Sequence, residues 1–386
     1  MEPSARQTSS NPSPKTPSRT TSETTVQAQS LINWELAAST AARLTPAGPV
    51  LGAAEIGAAV ENLRLMADIS VPHVHDITGL DAARDLRDSE VLVVDRASWA
   101  RANTQSFAVM LKPAMEKLEG RGSLSPGAAG VSAAITGSQL GAILAFLSSK
   151  VLGQYDPFSA LAENSTAPAS GRLLLVAPNI ISVERELNVE PADFRLWVCL
   201  HEQTHRVQFA AAPWLRHHML QEIENLSGLL LGNVDSLMER ASAAAKSLKD
   251  RAAPGAAPGR GAILDLLQDP AEKAALSRLT ALMSLLEGHA NVVMDAVDAS
   301  IVPSVKTIRQ RFNDRGQERG MIEKFIRNLL GLDAKMRQYS DGAKFVREVV
   351  AAAGMAGFNK VWESAENLPS EPEIHDSKLW LDRMGL

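Results

Sequence analysis

The chain of 386 residues holds one cysteine, Cys199, two tyrosines and only 4% aromatic residues. A lone cysteine forms no internal disulfide and supplies no cysteine-rich zinc knuckle, so a metal centre here has to be built from histidine and carboxylate. An excess of basic charge is missing too. Lys and Arg number 39 against 44 Asp and Glu, a formal charge of −5, which argues against a nucleic-acid partner. Long apolar runs are also lacking: the longest candidate, residues 133–147, is interrupted by Thr136, Gly137, Ser138 and Gln139 and reads as a buried helix rather than a membrane span. The start of the chain has neither the basic opening nor the apolar stretch of a secretory signal, so cytoplasmic residence is expected.

What is present is enough apolar material, 45% of the residues, for a sizeable core. Residues 1–28 carry 6 Ser, 6 Thr and 4 Pro with only Met1 and Val26 as large aliphatics, and read as a disordered tail. From residue 29 onward helical spacing dominates, broken at Thr45 to Gly48. Two short apolar runs, residues 90–95 and 172–177, read as buried strands, and residues 242–261 as a mobile Ala/Pro/Gly loop between two long helices. With no second polar linker, the expectation for 29–386 is a single α-rich domain, although the length alone would suggest two or three domains at ~150 residues each. The fold class expected is mainly α with a few short strands.

Residues 191–212 form an uninterrupted helical stretch with Pro191 in its first turn and Pro213 ending it. Inside it stands His201-Glu202-Gln203-Thr204-His205. Positions four apart share a helix face, so both imidazoles can address one divalent ion, while Glu202, turned by about 100°, can serve as general base toward a metal-activated water. The apolar flank Phe194, Leu196, Trp197, Val198 and Leu200 fits a buried central helix that delivers polar ligands into a cleft. Cys199 falls on nearly the opposite face and reads as packing.

A catalytic zinc takes a third protein ligand. The metzincin extension is absent, because its Gly and His positions hold Gln208 and Ala211. His217 and His218 lie beyond Pro213 and read as solvated or as lining the cleft rim rather than as ligands. The better source is the helix opened by Asp269 as N-cap, Pro270 at N1 and Glu272 at N3, with an apolar stripe from Leu276 through Met283 and Leu286 to Val297. Glu287 falls on one edge of that stripe and His289 on the other, so one ion does not take both; Glu287 is the expected ligand and His289 the alternative. Asn291, one turn after Glu287, is placed to orient a ligand histidine through its amide oxygen.

The run from Phe194 to Leu215, with Trp197, the HEQTH segment, Gln208 and Phe209, and Pro213 to Arg216, resembles a family of zincin-like bacterial proteins linked to biosynthesis of a deazaflavin coenzyme. Glu287-Gly288-His289, Val293-Met294-Asp295, Leu152 to Asp156, and Pro178-Asn179 match that family's blocks as well. The resemblance covers residue 29 to the C-terminus. It implies a mostly helical zincin-like metallohydrolase fold and names no substrate. Asn291 departs from the pattern of glutamate-liganded zincins, where Asp is expected.

The expected function is a zinc-dependent peptidase or amidase with His201, His205 and Glu287 as ligands, Glu202 as base, Zn2+ as cofactor and a peptide or amide-containing molecule as substrate. Tyr155, His289, Arg216 and His217 are the candidate oxyanion donors. A non-catalytic zincin-like scaffold with a structural metal is the alternative; an intact Glu202 favours the enzyme. Arg309, Arg311, Arg315 and Arg319, interleaved with Asp314 and Glu318, read as a solvated helix face. His73 and His75 give little support for a second metal site, and Trp34, Trp99, Trp362 and Trp380 read as packing residues.

Overall fold

Amphipathic spacing and well-marked caps turn most of this chain into helices. The computed structural model describes residues 31–86, 89–119, 126–161, 170–232, 269–316 and 338–386, so the 1–28 tail and the 242–261 loop lie outside the described residues. In chain order the elements are α1 (Trp34–Leu44), α2 (Ala53–Thr78), β1 (Glu90–Val94), α3 (Arg96–Glu119), α4 (Pro126–Ser148), β2 (Gly153–Asp156), β3 (Arg172–Val176) and α5 (Ala177–Leu187). They continue with α6 (Pro191–Ala211), α7 (Leu215–Gly232), α8 (Pro270–Ala296), α9 (Val305–Gly316), α10 (Gln338–Phe358), α11 (Glu371–His375) and α12 (Ser377–Met384). The mainly α class expected from sequence is what the chain adopts.

The strands form one sheet in the order β1-β3-β2. β1 runs parallel to β3, with Glu90 opposite Arg172 and Val94 opposite Val176. β2 runs antiparallel on the other side, with Tyr155 opposite Leu173. Leu173, Leu174, Leu175 and Val176 are fully buried, as a continuous apolar run in a central strand requires. β2 was not legible as a strand: four residues containing Gly153 and Asp156 carry no strand pattern. Its end is pinned instead by a buried ion pair. The Asp156 carboxylate accepts hydrogen bonds from Ser106 Oγ at 2.6 Å, Arg172 Nε at 3.0 Å and the Phe158 amide at 3.1 Å.

α6 runs through the main core, where Phe194, Cys199, Leu200 and Val207 have no exposed surface. Its buried polar side chains fix its azimuth as well. Gln203 Nε2 donates to the Ala67 carbonyl of α2 at 2.8 Å, and Arg206 Nη2 donates to the Ser89 carbonyl before β1 at 2.8 Å. Burying such groups is tolerated only when each finds a partner, so these bonds resist rotation of the helix that carries the HEQTH segment. α8 opens on Asp269, whose carboxylate accepts the Ala271 amide at 2.8 Å, and packs against α6. α10 crosses α8 at Gly288 and Gly342; a Cβ on Gly288 would come within 2.3 Å of the Gly342 backbone, so only a residue without Cβ allows this approach.

One expectation changes and another is extended. The apolar stretch at 133–147 belongs to α4 but is not a buried helix: within Gly130–Ser148, long and apolar enough by length and composition to cross a membrane, 28% is buried. Ala133, Leu144 and Ala145 face inward while Val131 and Ile135 are more than half exposed. One face packs against α1, and the small residues let that contact form without covering the other side. The arginines of α9 lie on a solvated face, with Arg311 exposed, but that face also reaches neighbouring helices. Arg309 donates to the Met294 and Val297 carbonyls at the end of α8, Arg311 to the Leu187 and Asn188 carbonyls at the end of α5, and Arg315 to Glu186 at 2.8 Å. Arg309 and Arg311 satisfy helix C-termini, where carbonyls lack intrahelical partners, while Arg315 pairs with a side chain; Arg319 lies outside the described residues. Trp99, Trp362 and Trp380 are buried packing residues. Behind α10 the chain returns to the start of the fold: Asn359 Nδ2 donates to the carbonyl of Thr78, the last residue of α2, at 2.8 Å.

Candidate metal centre

Helical spacing puts His201 and His205 on one face of α6, and the packing of α8 brings Glu287 opposite them. The Nε2 atoms of the two histidines are 3.3 Å apart, His205 Nε2 lies 3.7 Å from Glu287 Oε1, and His201 Nε2 lies 4.0 Å from Glu287 Oε2. Donors of a tetrahedral zinc with bonds of about 2.0–2.2 Å sit roughly 3.3–3.6 Å from one another, so the triangle matches such an ion with slight contraction on the carboxylate side. Among the described residues this is the one cluster of three or more His, Cys, Asp or Glu with metal-ligand geometry. His73 and His75 join none, and His75 Nδ1 faces Asp76 at 3.3 Å.

Glu202 is buried and lines the same cavity as the three donors, with Gly153 of β2 packed against its side chain. Burial, opposed by His205 and helped by the Glu287 charge, raises its carboxyl to about 7. A carboxyl poised there suits proton transfer near neutral pH. Cys199, behind it, is fully buried with its thiol pushed up by burial and by Glu202, which leaves it a packing residue.

The cluster opens into a cavity of about 330 Å³ that reaches the edge strand β2. Phe107 and Met110 of α3, Phe158, Phe209, Met219 of α7 and Met283 of α8 supply its apolar wall. Its polar groups away from the triad are largely satisfied: Ser106 and Asp156 bond each other, and Asn103 and Gln154 form a reciprocal carboxamide pair at 3.1 and 3.2 Å.

The remaining sequence candidates separate. Asn291 is exposed on α8 and is not among the residues that line the cavity, so it does not orient a ligand histidine as expected. His289 is fully buried between Phe358 and Trp362, with ring centroids at 5.2 and 5.3 Å, and stands outside the donor triangle. Burial and the neighbouring His205 push its imidazole down to about 3, so it is neutral. The Tyr155 hydroxyl donates to the Ser170 carbonyl, which turns it away from an oxyanion role, while its ring packs on Phe209 at 5.4 Å. Arg216 and His217 do not line the cavity; His217 is exposed, and His218 packs edge-on against Trp214 at 5.9 Å.

Three participants escaped the sequence reading. Gly153 falls inside the Leu152 to Asp156 block, which assigned it no role, and the α3 residues of the cavity wall carry no motif. Gln208, seen as a departure from the metzincin pattern and as part of the family resemblance but given no role, accepts at Oε1 from His205 Nδ1 at 3.0 Å, and its Nε2 lies 2.8 Å from the Leu286 carbonyl and 3.0 Å from His289 Nδ1. Its place one turn after His205 was the available signal.

Comparison with known proteins agrees with this geometry. Residues 32–381 match the family described as zincin-like metallopeptidase, a description that is silent on a deazaflavin coenzyme. A crystal structure from Chloroflexus aurantiacus, described as a provisionally assigned hydrolase with a novel fold, is 32% identical, covering 92% of this chain and 99% of that chain with a TM-score of 0.64. No curated protein matches significantly. A helix-borne His/His pair, a carboxylate from a second helix and a match over nearly the whole chain place this protein in the zincin-like metallopeptidase family.

Proposed function

We propose that the chain is a zinc-dependent hydrolase of peptide or amide bonds, with His201, His205 and Glu287 as ligands and Glu202 as general base. The observation that carries this reading is the triangle of three donors within 4.8 Å of one another, next to a buried carboxyl and open to a cavity. A zinc ion held there would act as a Lewis acid on the substrate carbonyl and acidify a water beside it. Glu202 removes the proton of the attacking water and delivers it to the leaving nitrogen, a role its buried position and raised proton affinity support. The apolar wall excludes bulk water, and β2, an edge strand, lies along the cavity where an extended chain can align. Asn103 and Gln154 are the carboxamides within reach of substrate polar groups.

The test is elemental analysis of the purified protein followed by incubation of wild type and Glu202→Gln with a mixed peptide library. One equivalent of zinc in both proteins, with cleavage lost in the variant by about 10²-fold or more, is expected. Zinc retained in both with no cleavage dependent on Glu202 would leave the structural-metal scaffold as the reading.

A further inference from the structure

The carbonyl oxygen of Leu286 can only accept a hydrogen bond, and a side-chain atom of Gln208 sits 2.8 Å from it. That atom must be the amide nitrogen, since two oxygens at this distance would repel. The orientation of the Gln208 carboxamide is thereby decided, and its other end, Oε1, faces His205 Nδ1 at 3.0 Å. A carbonyl-type oxygen also only accepts, so the proton in this contact belongs to His205 Nδ1. The second hydrogen of Gln208 Nε2 points at His289 Nδ1, 3.0 Å away, which must then be bare and leaves the His289 proton on Nε2. Gln208 and His289 are both fully buried, so water does not compete for these contacts.

From this chain of donors and acceptors we infer that Gln208 is a positioning residue: anchored by the Leu286 carbonyl and by His289, it holds His205 as the Nδ1–H tautomer, with the Nε2 lone pair directed at the His201 and Glu287 donors. The consequence for a metal rests on the reading of the triangle as a zinc site; the tautomer assignment does not. An imidazole whose far N–H is held by an oxygen is both oriented and made a better donor at its other nitrogen. A neutral carboxamide does this without adding negative charge, and the fully buried His289 supplies an acceptor for its second N–H. The His289 Nε2 has no hydrogen-bond partner among the described residues, the mark of a ring kept for what its Nδ1 does.

Two measurements on the full-length protein test this. The first is 15N NMR of the imidazoles in zinc-free wild type and in Gln208→Glu. Wild type should show His205 protonated at Nδ1 and His289 at Nε2. In Gln208→Glu the buried side chain is held as the carboxylic acid, whose O–H takes over the bond to the Leu286 carbonyl; its other oxygen still accepts from His205, so His205 keeps its tautomer while His289 moves its proton to Nδ1 to meet an oxygen instead of an N–H. The second is zinc affinity by chelator competition. Gln208→Met, similar in volume but without an oxygen, should bind zinc about 10–100-fold more weakly, with its helix content unchanged by circular dichroism, and Gln208→Glu should recover most of the loss. His205 found with its proton on Nε2 in zinc-free wild type, or a folded Gln208→Met with wild-type zinc affinity, would overturn the inference. If wild type took up no zinc, the zinc reading would fall while the NMR result still decided the tautomer.

Discussion

A methyl group added at Gly153 would stand 2.6 Å from Cγ and 2.7 Å from Cδ of Glu202, so strand β2 and the proposed base occupy one another's contact surface. Gly153→Ala therefore has to push either the strand or the carboxylate aside. A displacement of about 1 Å at a reacting group costs as much as 10²-fold, and kcat/KM on any substrate found should fall by about 10–100-fold, with zinc content unchanged. Thermal unfolding of the same variant should show a loss no larger than about 1–3 kcal/mol, the usual cost of overpacking.

Glu287 is the sole donor in the triangle that α8 provides. Glu287→Ala should lower zinc affinity by more than about 100-fold, beyond what loss of an orienting partner costs. Zinc at 100 times its dissociation constant stabilises a folded protein by about 2.7 kcal/mol, so adding a chelator should lower the melting temperature of wild type and leave that of Glu287→Ala where it is. Differential scanning fluorimetry with and without chelator reads both.

Asp156, at 2% exposure, joins the end of β2 to Arg172 and Ser106. Asp156→Ala strands a partly buried guanidinium, although Arg172 keeps bonds to Gln105 and the Ala102 carbonyl. A loss of about 3 kcal/mol in urea unfolding is expected. Because Phe158 takes its place through the same carboxylate, the cavity wall should loosen as well.

The C-terminal helices carry a pH-dependent contribution. Burial alone would raise the Glu373 carboxyl, but hydrogen bonds from Arg383 and Ser370 outweigh it and hold the group below its ordinary value of 4.5. A depressed carboxyl stabilises the folded state fully above its unfolded pKa and loses that contribution as pH falls through the folded value. Glu373→Gln should thus be less stable than wild type at pH 7, and the gap should narrow below pH about 4.5 and close further into acid. Equal gaps in denaturant midpoint at pH 7 and pH 3 would refute this.

The two helices that carry the site were readable because their ends are written locally: Pro191 and Pro213 bracket α6, and Asp269 with Pro270 opens α8. His201, Glu202 and His205 followed from spacing within one turn, and Glu287 from its angular position on the apolar stripe. The angular argument failed for Asn291, since sharing an edge with Glu287 does not mean facing α6 one turn later. At α9 alternating charge pointed to a solvated face, where Arg311 is indeed exposed, but not to the carbonyls of α8 and α5 that Arg309 and Arg311 reach. Those acceptors are backbone atoms of other helices, and no side-chain pattern announces them. The role of Gln208 was not legible for the same reason, because its orientation is decided by the carbonyl of Leu286, 78 residues away.

The bond from Asn359 to the Thr78 carbonyl spans 281 residues. During synthesis at about 5–20 residues per second, the end of α2 is exposed for roughly 15–55 s before its partner has been made. α2 also carries the Ala67 carbonyl that receives Gln203 and so steadies α6. The helix behind the metal centre is thus completed among the last events of biogenesis, and a ribosome-bound chain stalled before residue 359 should leave α2 frayed at its C-terminal end.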